Sequence, residues 1–160
     1  MSAPVQLWSD YVSPYAFVAK AGAYELERDY DVVLQWRGPL DDAEMTDLVA
    51  SHGATPFPGW WERIRPHSFG WVTARDLQGR LVGFVNVVSD GDCHAFLIDT
   101  KTRGELQRRG VGTRIVAFAA EQAKAAGHEW LHVDFDDELA PFYFDACGFE
   151  PTPAGLIRLK

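Results

Sequence analysis

Residues 96–116, FLIDTKTRGELQRRGVGTRIV, read as a strand, a loop and the opening of a helix. The apolar, β-branched start suits a strand, and Val111, Ile115, Phe118, Ala119 and Ala123 then recur at the spacing of one helix face. Between them, Gly110 and Gly112 let the backbone come close to a ligand. A helix beginning there offers N–H groups without partners and the positive end of its dipole. Such an end suits phosphate, and Arg108 and Arg109 add positive charge beside it.

The flanking sequence gives this unit its surroundings. Gly70–Arg75, Leu81–Val88 and His94–Thr102 alternate as strands, with turn residues at 76–79 and 89–92, and predict an antiparallel meander. The helix is expected over 107–126 with Gly127 as its stop. Residues 130–135 (WLHVDF) follow as a strand parallel to 94–102, since a long crossover separates the two. A last helix over 138–146 and short strands at 149–150 and 156–159 close the chain. Before the meander, acids at Asp41, Asp42 and Glu44 open a helix reaching His52. The proline-rich segment 54–69 reads as a loop with a short helix around Trp60 to Ile64. Val5–Trp8, a helix over 14–28 and the strand 31–37 (DVVLQWR) form a strand, helix, strand unit. The order describes one α/β (α+β) domain over 1–160 with a mixed central sheet and an added N-terminal βα unit.

With 160 residues, 47% of them hydrophobic, the chain can bury a core without covalent staples. A net charge of −8 disfavours nucleic acid and anionic membrane surfaces as partners and mildly favours an amine. Cys93 and Cys147 lie far apart and outside metal-ligand spacing, so the sequence predicts neither a disulfide nor a metal site. Reduced thiols and the lack of a signal-like or membrane-length segment lead to the expectation of a cytoplasmic protein. An unpaired edge strand leaves room for a homodimer.

Gln107-x-x-Gly110-x-Gly112 resembles the coenzyme A signature of the GNAT superfamily, Q/R-x-x-G-x-G/A, and lies between the expected strand and helix. The run from Ala140 through Tyr143 to Gly148-Phe149 resembles that superfamily's late motif, in which a helix bearing a tyrosine ends at Gly-Phe. The resemblance, covering about residues 31–160, implies a GNAT acyl-CoA N-acyltransferase fold and an acetyl-CoA-dependent N-acetyltransferase. It implies that the backbone of Thr100, Lys101 and Thr102 pairs with pantetheine. The amides of Gln107, Arg108, Arg109, Gly110, Val111, Gly112 and Thr113 would hold the pyrophosphate. Direct attack by a small-molecule or peptide amine would follow, with Tyr143 as the acid for the leaving thiolate. Tyr143 stands five residues before Gly148 where four is commoner, which leaves Phe144 in the usual slot. Base candidates are His94 and Asp134, with Asp99, His132 and a water chain as alternatives. Trp60, Trp61 and Trp71 fall where the acceptor pocket is shaped in this superfamily, and an aromatic wall suits an amine on an apolar body. A coenzyme A-binding module or fusion scaffold without turnover is the competing reading.

Residues 5–37, with the triplet Ser13-Pro14-Tyr15, resemble the opening of DsbA-like 2-hydroxychromene-2-carboxylate isomerases. That resemblance implies a thioredoxin-fold-like extension over 1–30, spliced at the shared strand 31–37. A glutathione-dependent isomerase would use Ser13, but the rest of a thioredoxin fold has no counterpart after Arg37.

Overall fold

The computed structural model describes residues 31–159. The expected strand at 5–8, the helix at 14–28 and Ser13, and with them the thioredoxin-like extension, lie outside the described residues.

In chain order the elements are β1 (Val33–Trp36), α1 (Asp42–Ala50), α2 (Trp60–Ile64), β2 (Gly70–Arg75), β3 (Leu81–Ser89), β4 (His94–Thr102), α3 (Val111–Ala125) and β5 (Trp130–Val133). Tight turns follow α2, β4 and β5, at Arg65–His67, Gly104–Leu106 and Asp137–Leu139, and a π-helical turn spans Pro141–Ala146. The five strands lie in sequence order in one sheet. β1 to β4 are antiparallel to their neighbours, and β5 joins β4 in parallel.

Strand side chains alternate between faces, so each face builds its own core. On one face Val72, Val85, Val87, Ala95 and Leu97 pack under Ile115, Val116 and Ala119 of α3. Gly83 makes that approach possible: a Cβ there would stand 2.3 Å from Cδ1 of Ile115. On the other face Phe84 and Leu81 meet Met45 and Leu48 of α1 and Trp61 of α2. α1 begins in a reciprocal cap, where the Asp41 carboxylate accepts from the Glu44 amide at 2.8 Å and the Glu44 carboxylate accepts from the Asp41 amide at 3.2 Å.

Buried Arg103 ties the end of β4 to both layers. Its Nε and Nη2 donate to the Leu81 carbonyl at 3.2 and 3.0 Å, and Nη2 also pairs with Asp47 of α1. The loop entering α3 is thereby fixed against α1.

Three expectations need correction. α3 starts at Val111 instead of Gln107, because Arg108 and Gly110 hold φ of 63° and 74°, which no right-handed helix admits. The helix expected at 138–146 is a tight turn followed by the π-helical turn. The short strands expected at 149–150 and 156–159 are not formed: the segment after Gly148 has no regular structure, and Leu156, Ile157 and Leu159 are exposed.

Asp76 shapes the β2–β3 turn. Burial alone would raise its pKa, but the Arg80 amide and guanidinium and the Gln78 amide hold it below the usual carboxylate value. A depressed carboxylate stabilises above its unfolded pKa, and that contribution is lost as pH falls through the folded value. Asp76→Asn should therefore lower stability by about 1–2 kcal/mol at pH 7. In urea unfolding series, the gap from the wild type should close as pH drops below about 4.

Candidate active site

The site forms around an irregularity in β4. Phe84 pairs with Lys101 and Asn86 with Ile98, so one residue of β3, Val85, faces two of β4, Asp99 and Thr100. This is a β-bulge, and Asp99 takes φ of 58° to make it. Asp tolerates the left-handed region better than most side chains. The extra residue resets the alternation: Asp99 and Lys101 line the α1 face, whereas Thr100 meets Tyr143 behind the sheet. Pairing with β5 runs from His94↔Trp130 to Leu97↔Val133 and stops there. Beyond Leu97, β4 continues to Thr102 without β5 beside it, and the two parallel strands leave a gap.

Tyr143 closes the back of this gap. Its ring stacks on Phe135 at 4.6 Å and meets Phe142 and Phe149 edge-on at 4.8 and 5.8 Å. Its hydroxyl group lies near the Thr100 side chain. Burial foremost, with Cys147 and Asp134 nearby, pushes the phenol up, against a smaller opposing effect of Thr100. The hydroxyl thus keeps its proton across the neutral range. The π-helical turn explains the five-residue spacing from Tyr143 to Gly148: the Cys147 amide bonds the Phe142 carbonyl, five residues back, at 3.0 Å. The wider winding accommodates the additional residue, and Tyr143, not Phe144, reaches Thr100. Such turns recur at functional sites.

The loop into α3 lies beside the gap. Gln107, Arg108 and Arg109 are exposed, and no side chain caps the helix at Gly110. Positive φ at Arg108 and Gly110, followed by the first amides of α3 at Val111, Gly112 and Thr113, makes a concave run of backbone donors of the kind that holds phosphate. Gly112 sits in close quarters, since a Cβ would lie 3.2 Å from the Phe142 ring and from Oγ1 of Thr102. Partial burial pushes the half-buried Cys147 thiol up to about 11, against a smaller opposing effect of Thr113. That cysteine is an unreactive packing group. Gln107 contacts His52 of the α1 end at 3.4 Å. His52 is held below its ordinary value by burial and then by Lys101 and Arg103.

On the α1 face, a groove of 190 Å³ opens next to the bulge, walled by Met45, Val49, Phe57 and Trp60 and carrying Asp42, Asp99 and Lys101. Both oxygens of Asp42 accept backbone N–H groups, from Gly59 and Trp61. Asp99 pairs with Lys101 at 3.5 Å, and the Lys101 ammonium lies 5.9 Å over the Trp60 ring. The three tryptophans separate in role. Trp60 lines the groove, Trp61 is 1% exposed in the core with Nε1 donating to the Leu40 carbonyl, and Trp71 packs edge-on against Trp61.

His94 begins β4, six residues and roughly 20 Å of strand away from Thr100. It stacks with His132 at the closed end of the β4–β5 pair and does not share the gap with Tyr143. Exposed Asp134 directly follows β5, where its pairing with β4 ends. Asp99, one of several acids in the strands by sequence, is distinguished by the bulge.

A parallel pair that parts beyond Leu97, a glycine-bearing loop at a helix start and a buried tyrosine beside them together suit a nucleotide-linked acyl donor. The acetyltransferase (GNAT) family model matches residues 23–149, and the chain belongs to that family. Acyl transfer from acetyl-CoA is the chemistry of the family. The match takes the shared strand, with residues from 23 onward, for the GNAT domain, and leaves the thioredoxin-like resemblance without support from the comparisons. No curated protein matches the chain. Among solved structures, one from Deinococcus radiodurans R1, assigned as an acetyltransferase, aligns with TM-score 0.67 at 22% identity over 82% of this chain and 90% of that one. A Staphylococcus aureus protein of unknown function aligns at 0.68 and 22% over 81% and 99%. A GNAT family acetyltransferase from Streptococcus pneumoniae TIGR4 aligns at 0.65 and 20% over 81% and 100%. At these identities the likeness shows the fold. No helix among the described residues is long and apolar enough to cross a membrane.

Gly110→Trp should obstruct the loop and weaken coenzyme A binding at least tenfold, about 1.4 kcal/mol. Calorimetric titration of coenzyme A into both proteins, with thermal melts as a fold check, measures it.

Proposed function

We propose that the protein is an N-acetyltransferase that moves an acetyl group from acetyl-CoA to a primary amine by direct attack, in the cytoplasm. The observation that carries this reading is that β5 stops pairing with β4 at Leu97, which leaves the β4 backbone beyond the bulge without that neighbour beside the buried Tyr143. A proton donor there faces strand backbone that has no β5 partner.

Acetyl-CoA supplies the acetyl group as an activated thioester. The amides from Gln107 to Thr113 bind its pyrophosphate, and the backbone of Thr100, Lys101 and Thr102 pairs with the pantetheine arm. A backbone N–H of the bulge polarises the carbonyl. The neutral amine nitrogen bonds to the carbonyl carbon, the carbon–sulfur bond breaks as Tyr143 gives its proton to the departing sulfur, and the proton left on the acylated nitrogen returns to Tyr143 through water. The groove on the α1 face is the acceptor's entrance. Its apolar walls favour an apolar body on the amine, and its small volume suits a slender head group. Asp99 borders this entrance and takes the ammonium proton before attack, directly or through water. Asp42, committed to the Gly59 and Trp61 amides, stays structural.

An amine screen with acetyl-CoA, read by released thiol, tests the reading. Turnover of a primary amine is the expected result. Binding of coenzyme A without thiol release from any amine would instead favour a binding module. With a responsive amine, Tyr143→Phe should lower kcat by about 10²–10⁴-fold with a smaller change in KM. Because the phenol is raised, the alkaline limb of the wild-type kcat profile should lie above about pH 10.

A further inference from the structure

At the end of the sheet remote from the gap, the turn between β3 and β4 gathers three different metal-ligating side chains. We infer that Asp90, Cys93 and His94 bind a divalent first-row ion, Zn²⁺ being the ion their donors suit.

The donor atoms of the three residues all lie within 4.8 Å of one another. Donors around tetrahedral zinc stand about 3.5 Å apart, given Zn–N near 2.0 Å and Zn–S near 2.3 Å. An exposed turn closes that difference with small side-chain rotations. The set joins a thiolate, an imidazole and a carboxylate, which selects a borderline ion over Mg²⁺ or Ca²⁺.

Two further features favour a cation. Oδ1 of Asp90 accepts from the amides of Asp92 and His94 at 2.8 and 3.1 Å, which fixes the carboxylate over the turn. His94 Nδ1 lies 2.7 Å from Nε2 of His132, so a residue of β5 steadies the imidazole, as outer partners do for metal-bound histidines. The surrounding charge has the right sign as well: Asp92 stands in the same turn, and Glu129 donates its amide to the Cys93 carbonyl at 2.9 Å, so two more carboxylate residues adjoin the cluster.

The sequence does not advertise the site. Cys93 stands alone, without CxxC spacing, and the ligands meet only because the turn folds Asp90 back toward the start of β4. The ion would brace the β3–β4 turn and, through His132, the closed end of the β4–β5 pair. It would take no part in acyl transfer.

The test uses the full chain stripped with EDTA and titrated with Co²⁺, whose thiolate charge-transfer band in the near ultraviolet reports sulfur ligation. The expected result is a band present in the wild type and in Cys147→Ser, and lost in Cys93→Ser. Zn²⁺ affinity measured by calorimetry should fall at least tenfold in Asp90→Asn, about 1.4 kcal/mol. No band in the wild type, a band unchanged in Cys93→Ser, or one lost only in Cys147→Ser would overturn the assignment. Far-ultraviolet circular dichroism checks each variant's fold. Asp90→Asn, read by the same band, provides an independent test should Cys93→Ser fail to fold.

Discussion

The bulge at Asp99 is the constraint from which the site follows. One extra residue in β4, held at positive φ, does three things at once. It ends the regular alternation, so that Asp99 and Lys101 face the α1 groove while Thr100 meets Tyr143. It bends the strand where the register with β5 stops. It also lies just where backbone groups of β4 lose their β5 partner. A regular β4 would have paired with β5 further along and presented Thr100 to the groove.

Support for this irregularity comes from both layers. Arg103 pins the strand end to the Leu81 carbonyl and to Asp47, and the α3 core holds the strand's inner face through Ala95 and Leu97. A bend between two fixed ends keeps its shape. On the far side, the ring cluster of Phe135, Phe142, Tyr143 and Phe149 gives the tyrosine a rigid setting, so its hydroxyl is positioned by packing instead of by a flexible loop.

Much of this was legible in the residues, and the failures have identifiable physical causes. The meander, the crossover helix and the glycine pair follow from alternation, helical spacing and glycine's conformational freedom. The late start of α3 was hidden because Arg108 adopts a left-handed φ, which arginine does not signal. The π-helical turn left only an indirect trace, the five-residue spacing between Tyr143 and Gly148. Trp60 and Trp61 could not be told apart by sequence, since a five-residue helix is too short to establish which side faces the core. Leu156, Ile157 and Leu159 supply a strand's apolar side chains, yet such a run forms a strand only where a neighbour receives it. The assembly of Asp90, Cys93 and His94 depends on a turn's path, which spacing rules do not capture.

The sheet's single parallel pair bears on the order in which the molecule assembles. β2, β3 and β4 join through tight turns and are able to zip locally, whereas β5 must await the crossover through α3. Asp134, Phe135, Tyr143 and Phe149 all come after that crossover. One wall of the gap therefore belongs to the early meander and the other to the late-docking C-terminal block. Such a block is suited to detach as a unit below the threshold of global unfolding. A cosubstrate that gripped both walls would act as a clasp, slowing amide exchange in β5 more than in β2 or β3.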